Sequence, residues 1–166
     1  MTFSPALMQS AEALLAACRE RGWTLTAAES CTGGLISGLL TEIPGSSDVV
    51  DRGFVTYSNQ AKEDLLGVPA ATLASGGAVS KETALAMAAG ACRTADADVA
   101  IAVTGVAGPG GGSDTKPVGL VHIAAALRGA DPIHQEHRFG DIGRGPIRIA
   151  TVAAAMALLN TLVTDT

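Results

Sequence analysis

Ser30 stands in the run Glu29-Ser30-Cys31-Thr32-Gly33-Gly34, where an apolar stretch gives way to glycines and then to helical periodicity. A serine at such a strand-to-helix turn can present its hydroxyl at the carboxyl edge of a sheet. The N–H groups near Thr32 to Gly34 can face the same space and hold an oxyanion or a phosphate. The pattern equally describes a helix that Ser30 and Thr32 simply cap. Cys31 is the neighbouring rival nucleophile, although a cysteine beside a turn commonly serves as a small buried hydrophobe. A serine also needs a base. No histidine is suitably placed, whereas Lys62 lies about one turn into a helix that follows Tyr57. A desolvated lysine can take the serine proton, with Tyr57 relaying it or orienting the amine. On composition alone, Tyr57 and Lys62 are an ordinary surface pair.

The segment from Gly105 to Pro117 holds five glycines and two prolines, too many for regular structure. It permits close backbone approach and can cradle a phosphate or cover a pocket, yet it matches neither the GxGxxG fingerprint nor the P-loop. Asp141, Arg144 and Arg148 sit at the start of the last helix, where a solvated helix end is the default and anion binding by Arg144 the sharper alternative. His134 and His137 are three apart on an expected strand and face opposite sides, with His122 on the neighbouring strand, so no metal site is expected.

These residues have to be positioned by alternating helices and strands. Helical spacing of Leu7, Ala11, Leu14, Leu15 and Cys18 predicts a helix over 5–21, closed by Gly22. Trp23 to Ala28 reads as a strand, Leu35 to Ile43 as a helix, and Gly53 to Tyr57 as a second strand feeding a helix that Gly67 and Pro69 end. Ser80 caps an alanine-rich helix to about Arg93. The apolar run 98–104 predicts a buried, central strand, and strands over 119–127 and 133–139 form a hairpin. A final helix is expected from Pro146 to about Val163. The fold class expected is α/β: a three-layer α/β/α domain with a mixed, mostly parallel sheet of about five strands, one domain over residues 1–166.

Composition narrows the function classes. Hydrophobic residues make up 48% of the 166 but aromatics only 3%, so the core is built from Ala, Val, Leu and Ile. A net charge of −5 offers no broad positive field and argues against a nucleic-acid partner. Cys18, Cys31 and Cys92 are odd in number and widely spaced, which fits free thiols in a reducing compartment. With no leader-like start and no long uninterrupted apolar run, a cytoplasmic protein with no membrane partner is expected.

The blocks Ala28 to Gly34, Pro44 to Ser47, Tyr57-Ser58-Asn59 with Lys62, Leu65 to Val68, Gly77 to Ser80, Thr104 to Gly111 and Lys116 to Gly119 together resemble the CinA C-terminal, or PncC-like, family, in the same order along nearly the whole chain. Ser75-Gly76-Gly77 departs from the more polar or bulkier residues of many relatives. The resemblance implies deamidation of nicotinamide mononucleotide to nicotinic acid mononucleotide and ammonia, within pyridine-nucleotide recycling, with Ser30 as nucleophile and Tyr57 and Lys62 as its partners. It implies no metal or other cofactor and a homo-oligomer, a dimer being favoured. Substrate contacts are expected from Glu29, Thr32, Gly33, Gly34, Thr104, Gly105, Gly108, Gly110, Gly111 and Arg144. Two other classes compete. One is a non-catalytic nucleotide-sensing or competence-associated module. The other is a short-chain-dehydrogenase-like enzyme, disfavoured because Tyr57 and Lys62 are five apart rather than four and the glycine loop lies late in the chain.

Overall fold

The computed structural model describes residues 3–166. Its first helix, α1 (Pro5–Arg21), starts where the Ser4 hydroxyl accepts from the Leu7 N–H and ends at Gly22 in the left-handed region, φ 66°. There follow β1 (Leu25–Glu29), α2 (Leu35–Glu42), a short 3-10 turn (Ser46–Asp48), β2 (Val50–Val55), α3 (Asn59–Leu66), α4 (Ala70–Gly76) and α5 (Lys81–Ala95). The chain then forms β3 (Val99–Gly105), β4 (Leu120–Leu127), β5 (Ile133–Arg138) and α6 (Arg144–Thr164).

The five strands order as β2-β1-β3-β4-β5. β2, β1 and β3 pair in parallel, while β4 is antiparallel to both neighbours, so four strands share one direction. β3 is central, as its continuous apolar run predicts, and period-2 alternation divides its side chains between two layers. Val99, Ile101 and Val103 join α1, α2 and α6 in a core of large aliphatics that includes Leu14, Leu15, Ile36, Leu39, Ile147 and Leu159. Ala100 and Ala102 face the other way, onto an alanine-dominated layer of α5 with Leu66, Leu73 and Met87. Each fully buried Leu or Ile is worth ~1.5–3 kcal/mol relative to exposure, so the first layer carries most of the apolar gain. The second layer supplies close approach. At Gly90 of α5 an added Cβ would lie 2.0 Å from the Leu66 carbonyl oxygen, so only glycine lets α5 meet the end of α3.

Three elements differ from the sequence expectation. β2 runs from Val50 to Val55 rather than over 53–57; it is an edge strand with mostly exposed side chains, and the burial alternation that marks a strand is weak there. α4 was not expected, because Leu73 alone is buried in it and one residue makes no periodicity. α6 begins at Arg144, which places Pro146 inside its first turn, where a missing N–H costs nothing. By length and composition α6 could cross a membrane, but Ile147, Val152, Met156 and Leu159 are buried in the core.

Candidate active site

The site forms at the carboxyl ends of β1 and β3. The Ser30 N–H donates to the Val103 carbonyl at 3.0 Å, extending the β1–β3 pairing one residue past the strand and fixing Ser30 at the sheet edge. Alternation along β1 puts Leu25 and Ala27 on the α1/α2/α6 side and Ala28 on the α5 side. Glu29 therefore falls beneath α2, and Ser30 turns toward α3.

From α3 comes Lys62, fully buried at 0% exposure. The Ser58 hydroxyl caps this helix by accepting from the Ala61 N–H, and Gly67 ends it in the left-handed conformation. The amine donates to the Thr56 carbonyl at 2.7 Å and lies 3.1 Å from Ser30 Oγ. Among the described residues no carboxylate forms an ion pair with it. Burial pushes the amine below its ordinary range, because a charged ammonium there has lost water without gaining a counter-ion. A neutral amine at this distance can accept the Ser30 proton while still donating to Thr56.

Cys31 sits beside Ser30 but is held as a thiol, since burial pushes its pKa up to about 12. The thiolate, not the thiol, is the nucleophile, so at neutral pH Cys31 is inert.

Glu29 was expected on the substrate and is instead wholly buried and spent within the fold. One of its oxygens accepts from Thr32 Oγ1 (2.7 Å) and the Gly34 and Ile36 N–H groups (3.2 and 2.9 Å), and the other from the Ser37 N–H and hydroxyl, both at 2.8 Å. It caps α2 from within, where Gly34 offers no side chain. The Thr32 hydroxyl and the Gly34 N–H are thereby withdrawn from any ligand, and the Gly33 N–H is taken by the Ser30 carbonyl.

A cavity of about 200 Å³ opens over Ser30, lined also by Cys31, Tyr57, Thr104, Gly105 and Arg144, with Ala78, Val79 and Ala107 completing the wall. Thr104 uses its hydroxyl to hold the Ala78 carbonyl at 2.7 Å, which fixes that wall. Tyr57 is 63% exposed at the mouth. Its hydroxyl accepts from Arg144 at 3.1 Å, and Arg144 also donates to the Gly108 carbonyl at 2.8 Å. It is the Thr56 carbonyl, and not Tyr57, that orients Lys62. Gly110 and Gly111 line a separate cavity of about 640 Å³ with Ser113, Asp114, Arg138 and Asp141. The expected residues thus divide: Ser30, Lys62, Tyr57, Thr104, Gly105 and Arg144 come together, Gly108 touches them through its carbonyl, and the rest do not face this cavity.

Sequence reasoning missed Arg148, which donates to the carbonyls of Cys31 and Thr32 at 3.1 and 2.7 Å. The available signal was its place one helical turn after Arg144. It also missed that His122 and His134 share a face, their nitrogens 2.9 Å apart. Among the described residues no group of three or more His, Cys, Asp or Glu is arranged to hold a metal ion.

The fold and site define a three-layer α/β domain with a buried serine–lysine pair at the carboxyl edge of its sheet. The family model for the CinA C-terminal domain matches residues 7–163, and the chain belongs to that family. A CinA-like protein from Syntrophobacter fumaroxidans is 54% identical over 147 residues, which is 89% of this chain but 34% of that protein. This chain spans about a third of the length of several such relatives. The nicotinamide-nucleotide amidohydrolase PncC of Escherichia coli K12 is 47% identical over 154 residues, 92% of each chain. The crystal structure of the competence/damage inducible protein CihA from Agrobacterium tumefaciens superposes with a TM-score of 0.95 at 54% identity, covering 98% of both chains.

Proposed function

We propose that this chain, as one amidase domain, deamidates nicotinamide mononucleotide to nicotinic acid mononucleotide and ammonia in the cytoplasm, serving pyridine-nucleotide recycling. The observation that carries the reading is Lys62, buried with no carboxylate partner among the described residues and 3.1 Å from Ser30 Oγ. Similarity to the Escherichia coli protein named for this amidohydrolase activity, over 92% of each chain, supports the choice of substrate.

Ser30 Oγ attacks the carboxamide carbon as Lys62 takes its proton, and the carbonyl oxygen becomes an oxyanion. The C–N bond then breaks, Lys62 gives the proton to the departing ammonia, and an acyl ester remains on Ser30. Water attacks that ester, Lys62 takes the water proton and returns it to Ser30, and the acid leaves. Throughout, the Thr56 carbonyl accepts one amine hydrogen and keeps the nitrogen lone pair on the serine side. The cavity of about 200 Å³ is smaller than the ~300 Å³ at which whole-ligand pockets begin, which suits the carboxamide ring alone. The ribose phosphate then lies at the mouth, beside Tyr57 and the Arg144 guanidinium.

Purified protein incubated with nicotinamide mononucleotide is expected to release ammonia and acid in equal amounts, and Ser30→Ala to abolish both while staying folded. Substrate binding by the wild type without ammonia release would favour a sensing module over an enzyme.

A further inference from the structure

The link between α4 and α5 lines the cavity over Ser30 through Ala78 and Val79. Both residues lie outside any helix or strand, yet three successive carbonyls leading to them are each taken by a side chain. Lys116 donates to the Gly76 carbonyl, the Thr83 hydroxyl to Gly77 at 2.7 Å, and the Thr104 hydroxyl to Ala78 at 2.7 Å. Thr83 belongs to α5 and Thr104 to β3, so these two anchors come from the packed body of the fold. Lys116 comes from the glycine-rich loop.

That loop is closed at its neck, where the Val106 N–H donates to the Leu120 carbonyl at 2.9 Å and the Gly119 N–H to the Val106 carbonyl at 2.8 Å. A turn then holds Lys116 itself: the Ser113 N–H donates to the Lys116 carbonyl at 2.9 Å, and the Lys116 N–H to the Ser113 hydroxyl at 3.1 Å. A lysine on an exposed loop ordinarily lays its stem along the surface and leaves the ammonium in water. Lys116 is instead half-buried, with its ammonium on a backbone carbonyl, and among the described residues no carboxylate forms an ion pair with it. Gly77 leaves it room, for at its φ of +71° an added Cβ would lie 3.1 Å from the Lys116 Nζ. The ammonium thus meets Gly76 and Gly77, and the next two residues line the cavity.

We infer that Lys116 is a positioning residue for the substrate ring: it braces the link over 76–79, so that Ala78 and Val79 form a fixed apolar wall for the ring that bears the carboxamide. The identity of that ring rests on the amidase reading above. The glycine-rich loop thereby serves the site twice, through Lys116 at this wall and through Ala107, which lines the cavity directly. A wall of this kind touches the ring alike before and during attack. Its loosening therefore weakens binding more than it slows the chemistry.

The test pairs kinetics with a probe that needs no turnover. In Lys116→Met and Lys116→Gln, which remove the ammonium, KM for nicotinamide mononucleotide is expected to rise about 10-fold, the lower range for one hydrogen bond to a charged group, with kcat little changed. The heteronuclear NOE of the backbone amides, measured by NMR without substrate, is expected to fall at Ala78 and Val79 in both variants and to stay high through β3 and α5. Wild-type KM in both variants, a loss confined to kcat, or unaltered NOE values at Ala78 and Val79 overturns the brace. The wild type alone keeps the inference falsifiable should the variants fail to fold: its Ala78 and Val79 amides are expected to be as rigid as those of α5, and low NOE values there overturn it. Ammonia release by the wild type keeps the two claims apart. A wild type inactive on the mononucleotide sinks the amidase reading, while the NOE values still decide the brace.

Discussion

The two ends of the sheet treat charge in opposite ways. At the end carrying the β4–β5 turn, Arg128 pairs with both Asp96 and Asp98. Partial burial works to raise the Asp98 pKa, but hydrogen bonds from the Thr24 N–H and hydroxyl and the charge of Arg128 outweigh it and hold the carboxyl low. A cavity of about 330 Å³ opens there, lined by Cys92, Arg93, Asp96 and Arg128. At the other end the cavity over Ser30 is smaller, about 200 Å³, yet its Ser30 is held by a buried lysine that pairs with no carboxylate among the described residues. Volume and charge count favour the first end; chemistry favours the second. An unpaired buried amine costs stability, and a fold bears that cost where the neutral base is used.

The largest effect expected from breaking this contrast is at Lys62. Lys62→Met keeps the apolar stem and removes the amine, and kcat/KM for ammonia release is expected to fall by roughly 10²–10⁴-fold, the usual share of a general base. Turnover within a few-fold of wild type would remove Lys62 from the chemistry. The same variant tests the cost of burial. Folding lowers the lysine pKa, so between the folded value and about 10.4 the unfolded chain binds more protons than the folded one, and wild-type stability rises with pH across that window. Urea denaturation of Lys62→Met is expected to lack that rise and to show stability at neutral pH no lower than wild type. A parallel pH dependence in the variant would contradict the assignment.

Next in size is Gly90→Ala, which reaches the site through packing alone. Gly→Ala in a helix ordinarily gains about 1 kcal/mol, but here the new methyl meets the Leu66 backbone at 2.0 and 2.9 Å. Overpacking of this kind costs about 1–3 kcal/mol, so a net loss is expected in the urea midpoint, with reduced turnover because α3 carries Lys62. A stabilised, fully active Gly90→Ala would mean that α5 does not set the position of α3.

The smallest effect is expected at the opposite end. Arg128→Ala is expected to leave kcat and KM for nicotinamide mononucleotide unchanged, since its partners stay in solvent and lie far from Ser30. A marked kinetic change on this substitution would erase the distinction between the two ends.

Much of this was legible in the chain. The run 98–104 marked the central strand, and the step from Ala28 into Thr32-Gly33-Gly34 marked the turn that holds Ser30. Glu29 was misplaced although period-2 alternation from Leu25 and Ala27 already put it under α2. The error was to read a carboxylate beside a nucleophile as facing substrate. Arg148 was legible only as a residue one helical turn after Arg144; its contact with the Cys31 carbonyl spans 117 residues, and no local pattern encodes it. Tyr57 was expected to relay the proton or orient Lys62; its hydroxyl instead accepts from Arg144, and the Thr56 carbonyl holds the amine.

The central claim is that Lys62 is neutral when it serves Ser30, and its titration can be observed directly. Protein carrying isotope-labelled lysine would be titrated by NMR, with the Lys62 signal assigned by its loss in Lys62→Met and compared with the pH profile of kcat/KM. The account predicts that the amine titrates below the ordinary lysine value of about 10.4 and that kcat/KM rises with pH about the same midpoint. A Lys62 that stays protonated across the range in which the protein turns over substrate would contradict it.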